Sequence, residues 1–233
     1  MKPAQPEAGG GPRIARVDQT KLREGAYQAI KDAFTRGEFA PGDTLSLRML
    51  AAQLGISMTP VREAVRRLVA EGALLDTPSR TLVVPPFDIA RMRDLKLARL
   101  ALESLVLDLT LDNMAPDTPD ELDTILDRRT SSAEAKPDLQ QNHDFHFRLY
   151  RDSGSDVLLP LVEALWLQYG AYLNLIIHHR DAPRIAEHLH HREIIAALRA
   201  GDRAAAQAAL RADIERSFRV LAAEAGERTA SHD

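Results

Sequence analysis

The chain has 233 residues, 45% hydrophobic and 27% charged, with a formal net charge of −4 and no cysteine. That is enough for one large domain or two modest ones with a packed core. It excludes disulfides and thiolate metal sites and fits a reducing cytoplasm, the expected location. No apolar run approaches about 18 residues, so no membrane span is expected.

Residues 1–17, opening MKPAQPEAGGGPR, are rich in Pro and Gly, lack the apolar core of a signal peptide, and read as a disordered tail. Lys21 to Arg36 predict a first helix with Leu22, Ala26, Ile30, Ala33 and Phe34 facing inward, broken by Phe39 to Asp43. The stretch Leu45 to Leu74 predicts two short helices joined by a tight turn. In the first, Leu47, Leu50, Ala51 and Leu54 recur at helical spacing, and Gly55 supplies a left-handed residue to end it. Ser57 suits the N-cap of the second, and Pro60 falls in its first turn, where a missing N–H costs little. Val61, Ala64, Val65, Leu68 and Val69 form its buried stripe, and Thr59, Arg62, Glu63 and Arg66 lie opposite. That is the layout of a helix-turn-helix, whose second helix offers its early residues to base edges in the major groove. A helical hairpin with a solvated basic edge has the same periodicity. Beyond Gly72, Ala73 to Asp76 and Thr81 to Val84 predict two strands around Pro78 to Arg80, a wing.

Pro85 and Pro86 mark a boundary, giving an expected head over 18–85, a second domain over 86–228 and a tail over 229–233. Residues 1–85 hold 12 Lys and Arg against 9 Asp and Glu, whereas 86–233 hold 18 against 25. The basic end is the candidate for DNA, and its small excess predicts that a dimer places two heads on one duplex. The second domain predicts helices near 88–113, 118–134, 137–152, 155–180, 182–200 and 202–226, an all-α bundle. Within it Asn142 and His146 are an i, i+4 pair that can converge beside one helix. Five of the eight histidines fall between His178 and His191, of which His178, His179, His188 and His190 read as surface residues.

The pattern FAPGDTLSLRMLAAQLGISMTPVREAVRRLVAEGALL, over roughly residues 20 to 85, resembles the winged-helix domain of GntR-type bacterial transcription regulators. NHDFHFRLYRDSGSDVLLPLV and the later HREIIAALRAGDRAAAQAAL resemble the FCD effector-binding domain of the FadR branch of that family. The fold implied is mainly α, an N-terminal winged helix-turn-helix followed by an FCD-like all-α bundle.

The resemblance also implies sites. In the family an Asp, a His four residues on and two later His hold a divalent metal in the bundle. Those positions fall here on Asn142, His146, His191 and Asp213, with Asn where Asp is usual and Asp where His is usual. The mixed N/O set suits Zn, Ni, Mn or Co, and a metal-free polar pocket is the other reading. Arg99, four residues before Glu103, matches a family Arg–x3–Glu pattern and would be the receptor for a small carboxylate effector. A solvated Arg99–Glu103 pair is the plain reading of the same spacing. Leu95, Leu102, Leu105 and Val106 around it suggest partial burial. Trp166, Tyr169 and Tyr172 are candidates to line the pocket, with Tyr169 the one assigned to the effector and Trp166 to core packing.

On the head, Thr59 and Arg62 are the expected base readers, Arg48 and Arg66 the phosphate contacts, with Ser57 at the cap and Arg80 on the wing. Met58 stands where the family has Arg, and Thr81 where the wing tip has Gly. Methionine donates no hydrogen bond and can only touch a thymine methyl, so a different operator is expected. The function implied is a ligand-responsive, homodimeric transcription regulator, a repressor in the commoner family behaviour, binding a pseudo-palindromic double-stranded operator. Two other classes remain: a metal-dependent enzyme with an accessory winged helix, and a winged helix that binds only protein. Against the enzyme, the sequence shows no nucleophile motif and no Gly-rich phosphate loop.

Overall fold

The computed structural model describes residues 18–77, 81–128, 138–178 and 188–230. The head begins with α1 (Gln19–Thr35), capped by the Asp18 carboxylate, which accepts from the amides of Thr20 and Lys21. This cap starts the helix two residues before the expected Lys21. Next come β1 (Thr44–Leu45), α2 (Leu47–Leu54) and α3 (Met58–Ala70), then β2 (Leu75–Asp76) and β3 (Leu82–Val83). Ser46 caps α2 through the Met49 amide, and Gly55 ends it at φ 65°, the left-handed conformation the sequence asked for.

The sheet differs from expectation. It has three strands in the order β1-β3-β2, both pairings antiparallel, because Thr44 pairs with Val83 and Leu45 with Leu82. Leu45 is therefore strand, not the start of a helix; two residues are too few to show an alternating pattern. Ser57 occupies the N-cap of α3 but makes no side-chain cap hydrogen bond.

The second domain consists of α4 (Ile89–Asn113), α5 (Thr118–Leu126), α6 (Leu139–Arg151), α7 (Leu158–His178), α8 (Leu189–Ala200) and α9 (Arg203–Ala230). The α5 helix stops at Leu126, where the buried Gln141 side chain donates to the carbonyls of Ile125 (2.7 Å) and Leu126 (3.1 Å). The last helix runs past 226 to Ala230, into the expected tail. The expected tail over 1–17, the wing tip at Arg80, and the parts of the expected helices at 129–134, 137, 179–180 and 182–187 lie outside the described residues.

Two apolar cores result. One joins Ile30, Phe34, Leu50, Val61, Val65 and Leu68 in the head, and the other fills the bundle around Val106, Phe145, Leu149, Ile194, Leu210 and Leu221. Leu167 and Ala171 of α7 belong to the head core although their helix is part of the bundle. Residues 169 and 170 are one step apart on that helix, yet Tyr169 packs in the bundle while Gly170 meets α1. The α7 helix is thus shared by both domains. No helix among the described residues is long and apolar enough to cross a membrane.

Candidate functional site

The outer face of the head carries the side chains expected to meet DNA. Arg48, Ser57, Met58, Thr59, Arg62 and Arg66 are exposed, while Pro60, Val61, Ala64, Val65 and Leu68 are buried on the other side of α3. Arg66 donates to Glu63 at 2.8 Å. An exposed pair of this kind is worth at most about 1 kcal/mol, so a phosphate can displace the carboxylate. Arg67, the next basic residue, serves a different purpose. It donates to Glu71 (2.9 Å) and lies over the Tyr27 ring (3.6 Å), and Tyr27 donates its hydroxyl to Glu71 (2.8 Å). Tyr27 lies in no sequence motif, yet it ties α1 to the C-terminal end of α3.

In the bundle, α4, α6, α7, α8 and α9 surround a cavity of about 50 Å³ lined by Arg99, Asn142, Trp166, Tyr169, His191 and Asp213, among others. Tertiary packing brings three of the four expected ligand residues into one cluster. The ligand atoms of His146, His191 and Asp213 all lie within 4.8 Å of one another. His146 Nε2 is 3.1 Å from Asp213 Oδ2 and 3.3 Å from His191 Nε2, and His191 Nε2 is 3.6 Å from Asp213 Oδ1. Asn142 lines the same cavity, half-buried.

The electrostatics of this cluster point inward. Tyr150 donates its hydroxyl to Glu103 Oε2 at 2.6 Å, so its oxygen accepts from His146 Nδ1 at 3.2 Å. That assignment leaves the Nε2 lone pair of His146 facing Asp213. Burial pushes the His146 pKa down, against the pull of Asp213. For Asp213 burial acts to raise the pKa, but His191 and His146 outweigh it and hold the carboxyl well below the usual range. A neutral imidazole nitrogen and a carboxylate oxygen at this distance repel unless a cation or a proton lies between them. Zinc–ligand bonds of about 2.0–2.2 Å place tetrahedral neighbours roughly 3.3–3.6 Å apart, close to the spacings seen here. The donor set of His146, His191 and Asp213 therefore fits a divalent cation, with the Asn142 amide on the same cavity.

Arg99 and Glu103 are not a solvated pair. They are 2% and 0% exposed, with Arg99 Nε donating to Glu103 Oε1 at 2.6 Å and one terminal nitrogen to Oε2 at 3.3 Å. Burial works to lower the Arg99 pKa, yet Glu103 outweighs it and the net shift is upward, so the guanidinium stays charged. Its carbon lies 4.4 Å from the Trp166 ring centroid and 4.5 Å from that of Tyr169. Trp166 is thus a wall of the cavity as well as core, and Arg99 enters the cavity with part of its donor fork already bound. Of the flanking residues, Leu95 and Val106 are buried and Leu102 packs against the core, whereas Leu105 is 47% exposed; Trp166 and Tyr169 of α7 and Phe218 of α9 lie against the guanidinium. His188, read from the sequence as a surface residue, also lines the cavity. Burial and the neighbouring His191 push its pKa down to about 4.

Comparison with known proteins covers both domains. Residues 22–84 match the bacterial regulatory proteins of the gntR family, and residues 94–216 match the FCD domain. The HTH-type transcriptional regulator McbR of Escherichia coli (strain K12) is 29% identical over 215 residues, 90% of this chain and 97% of McbR. Its solved structure, E. coli McbR/YncC, superposes with a TM-score of 0.79 at 28% identity, covering 87% of this chain and 98% of that one. An uncharacterized HTH-type transcriptional regulator of Streptomyces ambofaciens is 29% identical over 206 residues, covering 88% of this chain and 87% of its own.

Proposed function

The chain belongs to the gntR family of bacterial regulatory proteins with an FCD domain, a DNA-binding transcription regulator, and on that premise we propose that it is a repressor released by a small organic acid. The observation that carries this reading is the cavity lined by Arg99, His191 and Asp213, with buried His146 against the last two, on the same helix bundle that grips the head.

His146, His191 and Asp213 would hold a divalent cation, with Asn142 beside them. Bound there, it would supply a Lewis-acidic position for a carboxylate oxygen. Arg99, beside the rings of Trp166 and Tyr169, would receive the remaining negative charge. The cavity has room for only a few waters, so an acid of several carbons must widen it.

Widening has a route to the head. Trp166 and Tyr169 border the cavity, and on the same helix Gln168 accepts from Arg91 (2.8 Å), which also donates to the Gly72 carbonyl (3.1 Å). Asn174 donates to the Gly37 carbonyl at 2.7 Å, and Glu163 pairs with Lys31 at 2.7 Å. An acid that shifts α7 would therefore tilt α1 and α3. Only a difference in affinity between the two orientations is needed.

Two heads on a pseudo-palindrome need two copies of the chain. Leu97, Ala101 and Leu105 leave an exposed apolar stripe one turn apart on α4, which supports a homodimer.

The test begins with a duplex selected from a random pool by the full-length protein, followed by a screen of small acids for loss of binding. Release by an acid, abolished in Arg99→Met, supports the reading. Binding that no acid changes would sink the sensor. Turnover of an acid or ester that depends on His146 would favour a metal-dependent enzyme.

A further inference from the structure

The cluster has an outer layer that the ligand set does not include. His146 is oriented from behind by Tyr150, itself bound to Glu103. His191 has its own partner: its Nδ1 lies 3.1 Å from Nδ1 of His188, and the two rings stack at 5.3 Å and 29°. Phe145 covers His191 as well, at 4.4 Å and 30°. His188 stands at the N-cap of α8, where it makes no cap hydrogen bond. Its φ is 46°, the only positive φ outside glycine among the described residues. A histidine in that conformation carries backbone strain that glycine would not. A poor backbone conformation and an absent cap bond leave the contact with His191 as its evident role.

We infer that His188 is a positioning residue for the metal site, fixing His191 so that its Nε2 lone pair faces His146 and Asp213. Two Nδ1 atoms at 3.1 Å share one proton. If His191 is to coordinate through Nε2, that proton sits on His191 Nδ1 and is donated to His188 Nδ1. His188 then carries its own proton on Nε2. Outer partners of this kind hold the tautomer and ring plane of a ligating imidazole. The inference rests on the metal reading above and adds an imidazole that this chain places behind a ligand.

The experiment is Zn²⁺ binding to the chelator-treated full-length protein, by competition with a chromophoric chelator, with thermal midpoints measured before Zn²⁺ is added. The variants are His188→Gly, which relieves the backbone and removes the acceptor, and His188→Asn, which tolerates the left-handed conformation and keeps one. His188→Gly is expected to bind Zn²⁺ about 10- to 100-fold more weakly, with an unchanged or higher midpoint without metal. His188→Asn is expected to stay within a few-fold of wild type. Zn²⁺ affinity unchanged in His188→Gly, or lost equally in both variants, would overturn the positioning role while leaving the metal reading intact. Wild-type protein that takes up no Zn²⁺ would overturn the metal reading and this inference together.

Discussion

A Cβ placed on Gly170 would sit 2.7 Å from the carbonyl oxygen of Phe34, so α7 and α1 touch backbone to backbone where bundle meets head. Neither partner at that point is a flexible side chain, and the contact cannot absorb an added methyl group. Gly170→Ala is expected to push the helices apart at a cost of about 1–3 kcal/mol. Urea unfolding measures the loss, and a variant as stable as wild type would show that the contact yields.

Arg62 and Arg66 are both exposed on α3, but only Arg66 is tied to a neighbouring carboxylate. With a selected duplex, Arg62→Ala should weaken binding by about 1–3 kcal/mol and relax the preference at one position. Arg66→Ala should weaken binding evenly across sequences and lower the salt slope by about 1. Anisotropy titrations at several salt concentrations distinguish the two. An even loss from Arg62→Ala would remove it from base readout.

The Arg99–Glu103 pair is buried on both sides. Glu103→Ala leaves a guanidinium with no carboxylate and frees the Tyr150 hydroxyl. A loss of about 3–5 kcal/mol is expected, and Arg99→Met combined with Glu103→Leu should lose much less. If the single variant were as stable as the double, the pair would not be acting as a buried charge pair.

His143 shapes the acid limb of the stability curve. Burial, helped by the Lys31 charge, pushes its imidazole down to about 4 from 6.5. Its ring stacks on Phe147 at 4.3 Å. Above pH 6.5 neither the folded nor the unfolded state protonates it, and there is no penalty. As pH falls from 6.5 to about 4 the unfolded state gains the proton first, so folding stability falls. The expected loss from this group is about 3 kcal/mol. His143→Phe should flatten the curve by about that amount over this window, and a curve parallel to wild type would refute the assignment.

Metal removal gives the last test. Wild-type protein purified without chelator or a His-tag should hold near-stoichiometric metal, and His146→Ala and His191→Ala should hold none. Saturating metal at about 100 times its dissociation constant should add roughly 2.7 kcal/mol of stability. Metal-free wild-type protein would leave Arg99 to bind an acid alone.

The residues that local periodicity governs were legible in the chain. Of the expected stripe, Val61, Ala64, Val65 and Leu68 are buried and Val69 is partly buried, and Gly55 and the cap position of Ser57 fall where expected, because helix period, turn conformation and capping are short-range properties. Helix ends were less legible: Gln141 terminates α5 from 15 residues away. The strand at Thr44–Leu45 was missed because its partner lies at Leu82–Val83.

The sequence by itself determined a basic winged-helix head, an acidic helical bundle and a candidate set of polar residues. Only the tertiary structure decided that His146, His191 and Asp213 meet beside the cavity that Asn142 also lines, that Arg99 is buried on Glu103, that His188 turns inward, and that α7 serves both domains. The reason is physical. A helical repeat shows which face of a segment is apolar, but the partner of that face is fixed by packing among segments tens of residues apart. A buried polar group is then tolerated only where such packing supplies its hydrogen bonds.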